Sequence, residues 1–202
     1  MKMLFAVLRA IVGIAGLVAV TATFLDTASR VAINPFNFLG FFTTQSNILT
    51  ALVFVMLAVV SFAGRTPSLA LQFARACVTT YIVIVGVVYN TLLIGLEGGI
   101  SLEWANTVLH VLIPLYAAID WIFFGDRTPL PWNRFWVVLI YPLLWLVVVI
   151  IRGATDGWVP YPFLDPAQGY GVVALYAVGI AVAIGIVGTG TWALSRVRIL
   201  KP

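Results

Sequence analysis

Six long apolar stretches, separated by short polar segments, occupy most of this sequence. They lie at about residues 5–25, 44–62, 74–95, 104–124, 134–151 and 170–193. A helix crosses a membrane core about 30 Å thick with roughly 20 apolar residues, and the stretches are close to that length. They are continuous, whereas the strands of a membrane barrel alternate apolar and polar residues. The sequence therefore predicts an all-α integral membrane bundle of six transmembrane helices, forming one domain over residues 1–202.

The composition excludes a water-soluble protein. Hydrophobic residues make up 62% of the chain and charged residues 9%, against roughly 25% charged residues in soluble domains. The net charge of +4 comes from basic residues at the ends of the stretches, so we expect no nucleic-acid partner. The single cysteine, Cys77, excludes an intrachain disulfide and a multi-cysteine metal site. We expect neither a cofactor nor a metal.

Basic residues predict the orientation of the bundle. With alternating helices, most of them fall on one side: Lys2, Arg9, Arg65, Arg75, Arg127, Arg134, Arg196, Arg198 and Lys201. Only Arg30 and Arg152 fall on the other side, together with Asp26, Glu97, Glu103, Asp156 and Asp165. The positive-inside rule then predicts a multi-pass protein of the cell membrane with both termini cytoplasmic. The outer segments are 26–43, 96–103 and 152–169.

The second stretch opens with a polar face. Thr43, Ser46, Asn47 and Thr50 are spaced i, i+3, i+4 and i+7 and share one side of a helix. Thr44 points away from that side, toward lipid or apolar packing. Polar side chains in hydrocarbon tend to face the interior of a bundle. The face is interpreted either as part of a reactive site or as a set of interhelical hydrogen bonds.

The only histidine, His110, follows Glu103, Asn106 and Thr107 on one face of the fourth stretch. A neutral imidazole accepts a proton from a hydroxyl near neutral pH. If the helices alternate in direction, Thr43 and His110 lie at similar depth on the same side, and the sequence then favours Thr43 as nucleophile and His110 as base. A purely structural histidine is the alternative.

Several amides lie at the same depth and are candidate supporting groups. Gln45, Asn47 and Asn90 are expected to donate hydrogen bonds to an oxyanion, and Asn106 or Glu103 to orient the imidazole. Asp120, near the other end of the fourth stretch, is expected to pair with Arg127 or Arg134.

Prolines and small residues mark the remaining stretches. Pro114 and Pro142 each remove a backbone hydrogen bond and are expected to kink their helices. Small residues at four-residue spacing indicate close helix packing or, alternatively, a homodimer face: Ala177, Ala181, Gly185 and Thr189. The proline- and aromatic-rich segment 158–166 is interpreted as an interfacial anchor or as a cover over an outward-facing cavity.

Three short motifs carry a resemblance to a known family. They are Phe41-Phe42-Thr43, Asn106-x-x-x-His110 with Pro114, and Trp158 followed by Tyr161-Pro162-Phe163-Leu164. The chain resembles the androgen-induced-protein family of six-span membrane proteins, which includes the androgen-dependent TFPI-regulating protein and bacterial relatives. The Thr-x-Gln-Ser-Asn order from Thr43 is more similar to the bacterial branch.

The resemblance implies a threonine hydrolase. Animal members cleave fatty acid esters of hydroxy fatty acids, and their catalytic threonine and histidine correspond to Thr43 and His110 here. Tyr161, in the third motif, is a further candidate supporting residue. The residues after Thr43 differ from the animal pattern, which leaves the substrate open. The first hypothesis is therefore an intramembrane hydrolase of lipid-like acyl esters, with membrane lipids as neighbours. The alternative is a non-catalytic membrane protein that binds a lipid or small solute.

Overall fold

Six helices long and apolar enough to cross a membrane make up most of the computed structural model, which describes residues 1–94 and 102–200. They are α1 Lys2–Arg30, α2 Phe42–Phe62, α3 Leu69–Leu93, α4 Glu103–Phe123, α5 Val137–Thr155 and α6 Tyr170–Leu194. The predicted all-α architecture with six apolar helices is confirmed. The helices α1 and α3 begin earlier than predicted, at Lys2 and Leu69.

Short elements connect these helices. A helix at Pro35–Gly40 precedes α2, and 3₁₀ turns lie at Trp132–Arg134, Pro162–Leu164 and Pro166–Gln168. Side chains satisfy the first backbone N–H groups of two helices: Asn34 accepts from Phe36, and Ser68 accepts from Leu71. Most of the predicted outer segment 96–103, with Glu97, lies outside the described residues, as does Lys201.

Neighbouring long helices run in opposite directions. The N-terminal parts of α1 and α3 meet the last turn of α4 through contacts of Arg9 and Arg75 with Asp120. Arg127, just after α4, donates to the carbonyl of Leu194 at the end of α6. These contacts define the charged end of the bundle, where Lys2 and the last described residue, Leu200, lie. The opposite end, which carries Thr43, is called the Thr43 end.

Asp120 pairs with Arg9 and Arg75, so the prediction that it pairs with Arg127 or Arg134 is wrong. Its two carboxylate oxygens accept from Arg9 Nε at 2.7 Å and Arg75 Nε at 2.9 Å. The same arginines also bind Asp126. Arg9, Arg75 and Asp120 are at most 1% exposed. The packing of α1 and α3 against α4 brings these arginines closer than the loop arginines that follow Asp120.

Both internal prolines leave a carbonyl that a side chain of α3 satisfies. Pro142 has no N–H for the carbonyl of Val138, which instead accepts from the hydroxyl of Tyr81 at 3.0 Å. Pro114 leaves the carbonyl of His110, which accepts from Asn90 Nδ2 at 3.3 Å. Away from water an unpaired carbonyl is costly, so each proline is tolerated because α3 supplies a donor at its level.

The small residues of α6 do not form the predicted helix contact. A side chain at Gly185 would meet no atom within 4 Å, whereas one at Gly188 would lie 3.3 Å from Phe135. Ala181 is exposed. Within the described residues α6 therefore packs through the Gly188 face, because the large rings of Phe135 and Trp192 occupy that side. A homodimer through the other face stays a prediction.

Candidate functional site

Thr43 lies in the first turn of α2, where backbone N–H groups have no acceptor within the helix. Its N–H donates to the hydroxyl oxygen of Tyr161 at 3.2 Å, and its Oγ1 lies 3.2 Å from the same oxygen. Tyr161 is 8% exposed and comes from the segment between α5 and α6. The start of α2 is thus held against that segment through one tyrosine.

Thr43 and Tyr161 both line an apolar cleft. The empty volume of this cleft, including its open mouth, is about 760 Å³. Its walls come from α3, α5 and α6, which contribute aliphatic side chains, and from the 3₁₀ turn at Pro162–Leu164. Among the lining residues described, Thr43 and Tyr161 supply the only hydroxyl groups. The cleft suits a hydrocarbon chain with its polar group beside Thr43.

Aromatic residues close one side of the Thr43 end. Trp158 packs so closely on Gly40 that a Cβ there would clash with its ring. The Phe41 ring contacts both Trp158 and Tyr161 edge to face. Tyr161, Phe163 and Leu164 are buried, so this part of the segment 158–166 packs into the protein rather than standing at its surface. Whether the segment opens as a cover stays a prediction.

His110 is fixed by backbone and ring contacts. Its Nδ1 lies 3.0 Å from the carbonyl oxygen of Asn106, which can only accept, so Nδ1 carries the hydrogen. In the neutral ring, Nε2 is then the free acceptor, as a general base requires. The ring stacks on Tyr89 with centroids 3.9 Å apart. His110 itself lies in the π-helical turn Val108–Leu112, and such turns are frequent at functional sites.

Asn106, one of the two predicted candidates, orients His110, but through its backbone rather than its side chain. The imidazole is held by the backbone carbonyl of Asn106, while the Asn106 amide donates to the Tyr89 hydroxyl at 2.5 Å. Glu103 and Thr107 are exposed, so of the two candidates for orienting the imidazole it is Asn106, through its backbone carbonyl, that contacts the ring. Sequence reasoning also gave no role to Tyr89. The sequence feature that could have indicated a role for Tyr89 is its position next to Asn90, at the Thr43 end of α3.

Thr43 and His110 lie at the same end of the bundle, and Asn47 links them. Asn47 Nδ2 donates to the carbonyl of Thr43 at 3.0 Å and to that of Leu109 at 3.3 Å. In the described part of the chain no hydrogen bond joins the Thr43 hydroxyl to His110. The hydroxyl is instead beside Tyr161, and the imidazole beside Tyr89.

The side-chain amides that were predicted as oxyanion donors instead hydrogen-bond mainly to backbone carbonyls. Asn47 uses its amide as described, and Asn90 Nδ2 donates to the carbonyls of Gly86 and His110. Gln45 donates to the carbonyl of Leu39 and accepts from the Tyr141 hydroxyl. Tyr161 is therefore the donor best placed to reach an oxyanion formed at Thr43.

The polar face of α2 is buried as predicted. Ser46, Asn47 and Thr50 are each 0% exposed, and Thr50 donates to the carbonyl of Ser46. The Ser46 hydroxyl lies near the Tyr141 hydroxyl, and Asn47 Oδ1 has no hydrogen-bond partner among the described residues. Buried polar atoms are nearly always paired, so Asn47 Oδ1 is an acceptor beside Thr43 that a water molecule or a ligand group would satisfy.

Comparisons of the chain with protein-family models, curated proteins and solved structures found no match. The resemblance to the androgen-induced-protein family therefore stays a prediction that depends on the three motifs.

Proposed function

We propose that this protein is a multi-pass hydrolase of the cell membrane that cleaves lipid-like fatty acyl esters, with Thr43 as nucleophile and His110 as general base. The observation that carries the proposal is the position of Thr43 on the wall of the apolar cleft, beside the Tyr161 hydroxyl. A hydrocarbon-lined cleft with two hydroxyls is suited to an acyl chain whose ester group lies next to a nucleophile.

The reaction follows from the roles of three side chains. The oxygen of Thr43 attacks the ester carbonyl carbon while its proton passes to Nε2 of His110, which requires the Thr43 hydroxyl to leave its place beside Tyr161. Tyr161 donates a hydrogen bond to the developing oxyanion. When the C–O bond of the ester breaks, the leaving alkoxide takes the proton from His110. A water molecule, activated by the same imidazole, then hydrolyses the acyl-threonine and regenerates Thr43. Catalytic hydrogen bonds are often looser without substrate, which is compatible with the absence of a Thr43–His110 bond among the described residues.

Charge supports an outward-facing site. Basic residues concentrate at the charged end, for example Lys2, Arg65 and Arg198, and such residues favour the cytoplasmic side. The proposed topology therefore has both termini cytoplasmic and the Thr43 end at the outer leaflet, where the substrate ester would enter.

Covalent labelling tests the nucleophile directly. A fluorophosphonate probe with a long alkyl chain should phosphonylate Thr43, because the probe reacts with a hydroxyl activated by a base. Mass spectrometry of the detergent-purified protein should locate the adduct, which should be lost in Thr43→Ala and reduced at least about tenfold in His110→Gln. Thr44→Ala is the matched control, since Thr44 lies off the polar face. Equal labelling of Thr43→Ala would refute the assignment.

The cleft should select acyl chains by length. Ala177 lines the cleft on α6, and Ala177→Phe should reduce kcat/KM for long-chain esters by about tenfold, with short-chain esters changed less than about twofold. The reason is that the added ring occupies space assigned to the hydrocarbon chain. Ala174→Phe, at an exposed position of the same helix outside the cleft lining, is the control. A loss that is equal for all chain lengths would contradict this role of the cleft.

One observation favours a second function, non-catalytic binding of a lipid or small solute. The Thr43 hydroxyl already has Tyr161 as its neighbour, and the same cleft would hold a lipid without any reaction. Binding of a fluorescent fatty acid that is lost in Ala177→Phe, combined with no covalent labelling of Thr43, would support this alternative.

A further inference from the structure

A second cleft lies at the charged end, on the opposite side of the bundle from Thr43. It is formed by the start of α1, the connection between α2 and α3, the segment after α4 and the residues after α6. Its empty volume, including its open mouth, is about 1150 Å³. Among its lining residues are the four basic residues Lys2, Arg65, Arg127 and Arg198, so we call it the basic cleft.

The one acidic residue that lines the basic cleft, Asp126, already forms ion pairs with other residues. Asp126 binds Arg9 and Arg75 through both of its carboxylate oxygens. Burial by itself would raise its pKa, but Arg75 and Arg9 hold the pKa of Asp126 well below its usual range. The carboxylate is therefore ionised and neutralised by two arginines outside the cleft lining. It does not balance the four basic residues that line it.

Arg127 carries a buried charge that faces no carboxylate within ion-pair distance among the described residues. It is 2% exposed, and its Nη groups donate to the neutral carbonyls of Phe124, Leu194 and Val197. Its Nε is buried without a hydrogen-bond partner. Burial lowers the pKa of Arg127 to about 10, so the guanidinium remains protonated at neutral pH. The guanidinium also lies over the Trp121 ring, 4.7 Å from its centroid, and this cation–π contact stabilises it. Arg127 therefore adds a positive charge to the cleft lining that no carboxylate within ion-pair distance neutralises among the described residues.

We propose that the basic cleft binds a phosphate group, supplied either by an anionic lipid headgroup or by inorganic phosphate. A tetrahedral phosphate offers several oxygens to cations that converge from different segments. The exposed side chains of Arg65 and Arg198 can contact the phosphate directly, and the buried charge of Arg127 attracts it from the cleft lining. The cleft lies at the helix ends, at the level where lipid phosphates meet a bundle of this kind. This site is independent of the proposed ester hydrolysis.

Two binding measurements on the full-length, detergent-purified protein separate the two sources. Native mass spectrometry compares bound phosphatidylglycerol with phosphatidylcholine, and calorimetric titration measures inorganic phosphate. Arg65→Gln and Arg198→Gln alter exposed residues, and each should weaken binding about fivefold to tenfold because one charge-assisted contact is lost. Arg134→Gln removes the same charge from an exposed residue at the same end but outside the cleft lining, and should change binding less than about twofold.

Each outcome decides the proposal. Preference for phosphatidylglycerol that both cleft variants lose would identify a lipid headgroup as the ligand, and binding of inorganic phosphate with the same loss would identify the free anion. An equal loss in Arg134→Gln would show that only the overall charge of this end matters, and would overturn the site. No preference for phosphatidylglycerol together with no measurable phosphate binding would also overturn it.

Discussion

Thr43→Ala should lower kcat/KM for a long-chain acyl ester by at least about a thousandfold, because the substitution removes the oxygen that attacks the carbonyl. His110→Gln should produce a loss of similar size, since glutamine cannot accept the proton of the hydroxyl. Steady-state hydrolysis of a chromogenic long-chain ester by the detergent-purified variants measures both effects. Residues that act as one unit give non-additive losses, so the double variant should be scarcely slower than either single one.

The controls separate chemistry from folding. Thr44→Ala changes the neighbouring hydroxyl and should retain at least about half of the activity, because Thr44 lies off the polar face. Thr43→Ser keeps a hydroxyl and should retain measurable turnover. Circular dichroism and gel filtration verify that each variant is folded. Full activity in folded Thr43→Ala would eliminate the mechanism while leaving lipid binding in the cleft intact.

Asp120→Asn should destabilise the protein by about 3–5 kcal/mol, because it leaves two buried arginines short of a carboxylate. Arg9 and Arg75 both bind Asp120 directly, and all three side chains are buried. Asparagine has nearly the same shape, so the loss reports charge rather than volume. The free energy of unfolding measured by denaturant titration in mixed detergent micelles tests this prediction.

An exposed ion pair is the matched control for Asp120. Asp156 binds Arg152 four residues earlier, on an exposed stretch at the Thr43 end. Surface pairs contribute little because water and salt screen them, so Asp156→Asn should leave the unfolding midpoint close to that of the unaltered protein. If both variants lose a similar amount of unfolding free energy, the buried cluster contributes no more to stability than an exposed ion pair.

Hydropathy and helical spacing predicted the elements and one buried face. Each apolar stretch is long enough to cross a membrane by itself, so the six helices follow from local composition without knowledge of their neighbours. The spacing of Ser46, Asn47 and Thr50 likewise placed them on one face, and all three are buried. Local periodicity suffices for such predictions because a helix fixes the directions of its own side chains.

Which side chains form hydrogen bonds and ion pairs between helices depended on the tertiary arrangement. Asp120 binds arginines 111 and 45 residues away in sequence, and the carbonyls released by Pro114 and Pro142 are satisfied by Asn90 and Tyr81 of α3. The pairing of Thr43 with Tyr161 across 118 residues belongs to the same class, although the motifs had marked both residues separately. The sequence by itself determined which segments become helices and which of their faces are polar. Only the packing of those helices decided which polar groups meet, because inside a bundle each buried donor or charge must find its partner on another segment.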